Sequence, residues 1–161
     1  AGYYIHKYLH LSKAKPDYIV HTHSENAVAI SCLKNGFNTK LNQSSMRFYN
    51  AIKYLDYNGM VVDDNEGKKL AGLVNSKTRL IILKNHGIIM MASTIEELFH
   101  LTFHFEKCAS IQLKIINSGE KIVNVDNSIA QKTYNDHNSF GPVGSMSWNA
   151  ILRTLNLLKK K

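Results

Sequence analysis

Apolar positions recur at helical spacing from the start of the chain. Tyr4, Ile5, Tyr8, Leu9 and Leu11 fall on one side of a helix expected over Gly2 to Lys13. It must stop before Pro16, because proline disfavours α geometry in the residue ahead of it. Asp17 to His23 (DYIVHTH) is β-rich and reads as a strand. Ser24 is placed to cap a helix over Glu25 to Lys34, with Gly36 as its left-handed stop. The pattern weakens from Phe37 to Gly59, where strands are expected near Leu41 and over Ile52 to Tyr57, with turn chemistry at Asn58-Gly59. Asp63 or Asp64 caps a helix running to about Val74.

Thr78 to Lys84 (TRLIILK) has the continuous apolar character of a buried strand. Asn85-His86-Gly87 is a tight turn and Ile88 to Met91 a second strand, so a hairpin is expected. Ser93-Thr94-Ile95-Glu96 reads as a capping box opening a long helix. Leu98, Leu101, Phe105, Cys108, Ile111 and Ile115 are spaced for one face of it, and Gly119 ends it. Glu120 to Val143 is polar and weakly patterned, which predicts an extended connection over the surface. Met146 to Lys159, with Trp148, Ile151, Leu152, Leu155 and Leu158, predicts a C-terminal helix that needs something to pack against. No internal repeat is visible, and residues 1–161 are expected to form a single α/β domain.

Composition narrows the classes. With 161 residues, 44% hydrophobic and 20% charged, the chain is long enough to bury a core. No apolar run approaches the ~20 residues of a membrane span, and the first ten residues lack the order of a signal peptide. Cys32 and Cys108 both fall within apolar helical patterns, which suits a reducing compartment, the cytoplasm. The net charge of +8 invites a nucleic-acid reading, but 17 Lys stand against 3 Arg, beside 16 Asn and 15 Ile. That joint excess is what an AT-rich coding bias writes at tolerant positions. Lys159 to Lys161 form the only basic run, and Arg forks interleaved with aromatics are missing. Neither nucleic acid nor membrane is expected as a partner.

The chain's chemistry lies in its eight histidines. His21 and His23 are two apart in a strand, so both imidazoles project to one side. Alone, H-x-H is a weak signal and is more often a structural or surface pair than a metal-binding one. His86 ends a buried strand and precedes Gly87, which gives the backbone freedom to turn and leaves room beside the ring; an ordinary turn histidine remains the other reading. Three imidazoles on one point are a common donor set for zinc. His6 and His10 share a helix face, one expected near the site and the other partly exposed. His100 and His104 repeat that spacing beside Phe99, Phe103 and Phe105, which suggests an interface or packed face. His137 carries no signal.

Taken together, IHKYLHLSKAKPDYIVHTHSENAVAIS, LNQSSMRFYNAIKYLDYNG and LIILKNHGIIMMASTIEELFHLTFHFEKCASIQ resemble the class II aldolase and adducin head family. The resemblance spans roughly Ala1 to Gln112, and the segment from Trp148 to Arg153 resembles the tail of the adducin-like bacterial branch. It implies a three-layer α/β/α sandwich with a central, mostly antiparallel sheet. It implies zinc or another divalent metal on His21, His23 and His86, a carbonyl or sugar-like small-molecule substrate, and a homo-oligomer, tetrameric in the family's enzymes. In those enzymes the ion acts as a Lewis acid while a carbon–carbon bond breaks. The family's aldolases carry an acidic residue where this chain has Gly2. Their leading glycine- and serine-rich loops have no counterpart in a sequence that starts at Ala1, so an N-terminally short member is expected. Gln43 matches a glutamine of the adducin-like branch without an evident role. Glu25 either approaches the site or serves the helix dipole, and Asn85 is placed to orient the ring of His86.

These readings leave three functions in order. The first is a metal-dependent aldehyde-lyase or epimerase. The second is a catalytically inactive adducin-like interaction module or truncated relic that keeps the metal site. The third and weakest is a basic nucleic-acid binder.

Overall fold

A computed structural model describes residues 2–158. The basic run Lys159 to Lys161 lies outside the described residues. In chain order the elements are α1 (Gly2–His10), β1 (Tyr18–Thr22), α2 (Glu25–Ser31), a short 3-10 helix (Ser45–Phe48), β2 (Ile52–Leu55), α3 (Asp64–Leu73), β3 (Leu80–Leu83), β4 (Gly87–Ala92), α4 (Ile95–Ser118), α5 (Asn127–Ser139) and α6 (Ser145–Leu158).

The strands form one sheet in the order β1-β4-β3-β2. β1 and β3 each run antiparallel to β4, and β2 runs parallel to β3, so the sheet is mostly antiparallel. β3 and β4 are buried along their whole length, as their unbroken apolar runs require. Strand alternation sorts their side chains into two cores. Leu80, Ile82, Ile88 and Met90 pack with Ala27 and Ile30 of α2 and Leu101, Phe105 and Cys108 of α4. Ile81, Leu83, Ile89 and Met91 pack with Ile5 and Leu9 of α1 and Leu70 of α3. Helices therefore cover both faces, giving a three-layer α/β/α sandwich.

Several expectations shift. α1 ends at His10, three residues early, where Ser12 Oγ donates to the carbonyl of Leu9 at 2.7 Å and closes the turn. α2 ends at Ser31, not Lys34, so the left-handed Gly36 (φ +59°) belongs to the following turn. No strand forms at Leu41. Asn42 and Ser45 instead bond each other, with Ser45 N donating to Asn42 Oδ1 and Asn42 N to Ser45 Oγ, both at 3.0 Å. Such local bonds compete with a ladder. The cap of α4 sits one residue later than read. Thr94 is the N-cap and accepts from Glu97 N at 3.1 Å, while Glu97 accepts from Ser93 N at 3.0 Å. Gly119 closes that helix at φ +74°.

On α4 the inward position is taken by Gln112, not Ile111, which is exposed. Gln112 replaces a hydrophobic contact by spanning two backbone groups, donating to Gly36 O and accepting from Asn38 N, both at 2.8 Å. The expected extended connection from Glu120 to Val143 contains α5, which has a single buried residue, Ala130, and so shows no apolar period to read. α6 packs on α4 through Trp148, whose ring lies 5.8 Å from that of Phe99, while Ile151, Leu152 and Leu155 stay exposed. Among the described residues no helix is long and apolar enough to cross a membrane.

Candidate metal centre

β1 carries His21 next to its end, and His23 follows two residues on, so the two rings leave the same side of the sheet. The β3–β4 hairpin brings His86 to the same place, because β1 pairs with β4 in a register that sets His21 opposite Ile89 and Thr22 opposite Ile88. The three ring centroids are 4.6 to 5.0 Å apart. One nitrogen from each ring lies within 4.8 Å of the other two, an arrangement able to hold a metal ion.

The backbone sets the chemistry of these nitrogens. His21 Nδ1 lies 2.9 Å from the carbonyl of Ile88. A carbonyl only accepts, so Nδ1 keeps the proton and Nε2 keeps its lone pair. That lone pair faces His23 Nε2 at 3.0 Å. Two nitrogens held about 2.0–2.1 Å from one tetrahedral ion stand ~3.4 Å apart, so the pair is already near ligand spacing. Burial lowers the His21 pKa, against the pull of the Ile88 carbonyl, and neighbouring His23 and His6 lower it further. Burial, then His21 and His23, lower His86. Neutral rings are the form that binds a metal.

Three small features hold His86 in place. Asn85 takes the left-handed conformation, φ +56°, and makes the turn. Gly87 serves a different purpose from the freedom to turn read in the sequence. A Cβ there would come within 2.5 Å of the Thr22 carbonyl and 3.0 Å of the His23 ring, so only glycine admits this closeness. Ser31, buried at the end of α2, accepts from His86 N at 3.1 Å and donates to Val28 O at 2.7 Å, while its own carbonyl accepts from Asn85 N at 3.0 Å.

The other candidates separate. Glu25 is exposed on the first turn of α2 and is not among the converging residues. Asn85 acts through its backbone, its side chain being exposed. Gln43 offers only its carbonyl, which accepts from His137 Nε2 at 3.0 Å. His6 is half-buried near His21, and His10 is exposed with Nδ1 donating to Pro16 O at 2.7 Å. Gly2 begins α1, where a Cβ would meet nothing within 4 Å. Sequence reasoning missed Ser31 and Glu106. Ser31 follows Ala27 and Ile30 on the inward side of α2, and a hydroxyl there was the available signal. Glu106 accepts from Ser24 Oγ and, at 3.1 Å, from Asn26 Nδ2, which ties α4 to the chain just after His23. Ser24 therefore spends its hydroxyl on Glu106 and makes no side-chain cap.

The fold and these converging imidazoles define a class, and comparison with known proteins gives it a family. The family model described as class II aldolase and adducin N-terminal domain matches residues 1–113, and the chain belongs to that family. An adducin-related protein of Schizosaccharomyces pombe is 32% identical over 166 residues, a match covering 97% of this chain and 50% of that protein. The crystal structure of an aldolase II superfamily protein from Pseudomonas syringae superposes with a TM-score of 0.85 at 26% identity, covering 96% of this chain and 61% of that one. An L-fuculose 1-phosphate aldolase from Glaciozyma antarctica PI12 shares the fold at a TM-score of 0.68 and 23% identity, covering 85% of this chain and 51% of that one. This chain thus spans about half the length of the curated relative.

Proposed function

We propose that His21, His23 and His86 hold a divalent cation, zinc in first place, and that the polypeptide acts as a class II aldolase-type lyase or epimerase on a small, sugar-like hydroxy-carbonyl compound. The single observation that carries this reading is the convergence of three imidazole nitrogens from two β-segments, with the His21 lone pair turned inward by the Ile88 carbonyl. When bound, such an ion supplies Lewis acidity toward a carbonyl and its neighbouring hydroxyl. The chain's own contribution is orientation. Ile88 O stops the His21 ring from turning, Ser31 pins the backbone at His86, and Gly87 lets the Thr22 carbonyl come close. A homo-oligomer, tetrameric as the family's enzymes are, and a cytoplasmic location go with this reading.

Gly2 favours a second reading. It supplies no group that moves a proton where the family's aldolases have an acid, and general acid–base catalysis contributes about 10²–10⁴-fold. An adducin-like interaction module that keeps the metal site without the chemistry accounts for that glycine.

Zinc-loaded protein and its Gly2→Glu variant, analysed for metal and for retro-aldol turnover of free and phosphorylated hydroxy-carbonyl compounds, separate the two. One ion per chain with turnover in the natural protein supports the lyase. One ion per chain without turnover in either protein supports the module. No bound metal at neutral pH sinks both.

A further inference from the structure

The three converging histidines are supported unequally. His21 lies within β1, and the Ile88 carbonyl holds its ring. The backbone of His86 is pinned by Ser31 at the end of α2. His23 has neither arrangement. β1 ends at Thr22, so His23 lies beyond the ladder and is exposed. Among the described residues its ring hydrogen-bonds only with His21 Nε2, at 3.0 Å. The groups standing behind a ligand decide how well it keeps its orientation, and for His23 those groups must act through the chain that follows it.

Ser24 is tied on both sides. Its N donates to Thr22 Oγ1 at 3.3 Å, and its carbonyl accepts from Val28 N at 2.9 Å, which joins the end of β1 to the first turn of α2. Its hydroxyl does not cap α2 but donates to Glu106 Oε1 of α4. The other carboxylate oxygen, Oε2, accepts from Asn26 Nδ2 at 3.1 Å. Both oxygens of the half-buried Glu106 therefore hold the residues on either side of Glu25. Hydrogen bonds to a carboxylate are among the strongest a side chain makes. α4 is itself firmly placed here. Phe105, next to Glu106, is fully buried and packs with Leu101 and Cys108 in the same core as Ala27 and Ile30 of α2. Glu106 is not one of the converging residues, so its reach toward the centre ends at Ser24 and Asn26.

We infer that Glu106 is a positioning residue of the metal centre: through Ser24 and Asn26 it fixes the backbone that presents His23. The inference rests on the three-histidine metal reading above. It makes α2 a strut between two ligands, its first turn fastened behind His23 by Glu106 and its last turn behind His86 by Ser31.

The test is a double-mutant cycle in zinc affinity, read by chelator competition on the natural protein, Glu106→Ala, His23→Ala and the double variant. Glu106→Ala should weaken zinc binding by about 10–100-fold, the size expected when a partner behind a ligand is lost. Glu106→Gln keeps an acceptor for Ser24 and should recover most of that loss. In the His23→Ala background Glu106→Ala should bring no further loss, because its effect passes through that ring. No loss in Glu106→Ala, or the same loss with and without His23, would overturn the inference. If Glu106→Ala does not fold, Ser24→Ala removes one of the two donors and carries the same cycle with a smaller loss. Amide exchange on the metal-free proteins separates this inference from the metal reading. Glu106→Ala should speed exchange at Ser24 and Val28 and leave Asn85 and His86 as they were. A natural protein that binds no zinc would sink the metal reading, whereas unchanged exchange at Ser24 and Val28 would sink the role of Glu106.

Discussion

His21, His23 and His86 stand at the end of a sheet, whereas His100, His104 and His137 stand on helices, and the protein treats the two sets differently. In the first set a backbone carbonyl holds the outer nitrogen of His21, so its inner nitrogen is a lone pair directed at its neighbours. No guanidinium is among the groups acting on it. In the second set Arg47 stands beside the rings, and the buried Nε2 of His100 meets no acceptor among the described residues. One group turns a lone pair toward its neighbours, as a cation would require, and the other stands beside a positive charge. Counting histidines or measuring their i, i+4 spacing does not separate these cases; what the second nitrogen and the nearest charge are doing does.

The largest effect should come from breaking the first group. His86→Ala should weaken zinc binding by more than the 10–100-fold that loss of a supporting partner costs, read by chelator competition. His137→Ala, in the other group, should leave zinc affinity as it was; equal losses in both variants would erase the distinction. Gly87→Ala should destabilise the fold by about 1–3 kcal/mol, since its Cβ meets the Thr22 backbone, and metal affinity should fall with it. Denaturant melts and the same chelator titration check this. Ser31→Ala strips the acceptor from the buried turn at His86 and should cost about 1–2 kcal/mol. A metal affinity unchanged in Ser31→Ala would show that the turn holds without it.

The smallest effect belongs to the second group. His100 is lowered from the ordinary 6.5 to about 4, burial being the first cause and His104 and Arg47 the next. The unfolded chain therefore takes up a proton that the folded chain refuses. Stability is full above about pH 6.5 and declines as the pH falls toward 4. His100→Gln should flatten part of that decline in melts across this window. An unchanged slope would mean that His100 is less desolvated than its burial implies.

The two regions also differ in how far the sequence exposes them. β3, β4 and α4 are legible because unbroken or helically spaced apolar residues meet burial on both sides of the sheet. His21 and His23 are legible as a same-side pair through strand alternation alone. His86 required the hairpin, and its nearness to the pair depends on β1 choosing β4 as its neighbour, a long-range pairing that local pattern does not encode. α5 escapes because one buried alanine leaves no period. The cluster around Arg47 escapes with it, since His137 reaches Arg47 only through that helix. The capping residue of α4 was misplaced by one because both Ser93 and Thr94 have a glutamate three positions on, and the structure uses Thr94 with Glu97.

Among the described residues β1 is an outermost strand, with β4 as its sheet partner, whereas β4 is an inner strand. Peeling the edge away interrupts one ladder and leaves both cores largely intact, so it requires less free energy than global unfolding. His21 and His23 would depart together, and His86 would stay behind on the hairpin. An opening of the three rings would therefore begin at this edge, and amide exchange at Val20 to Thr22 is where it would first be seen.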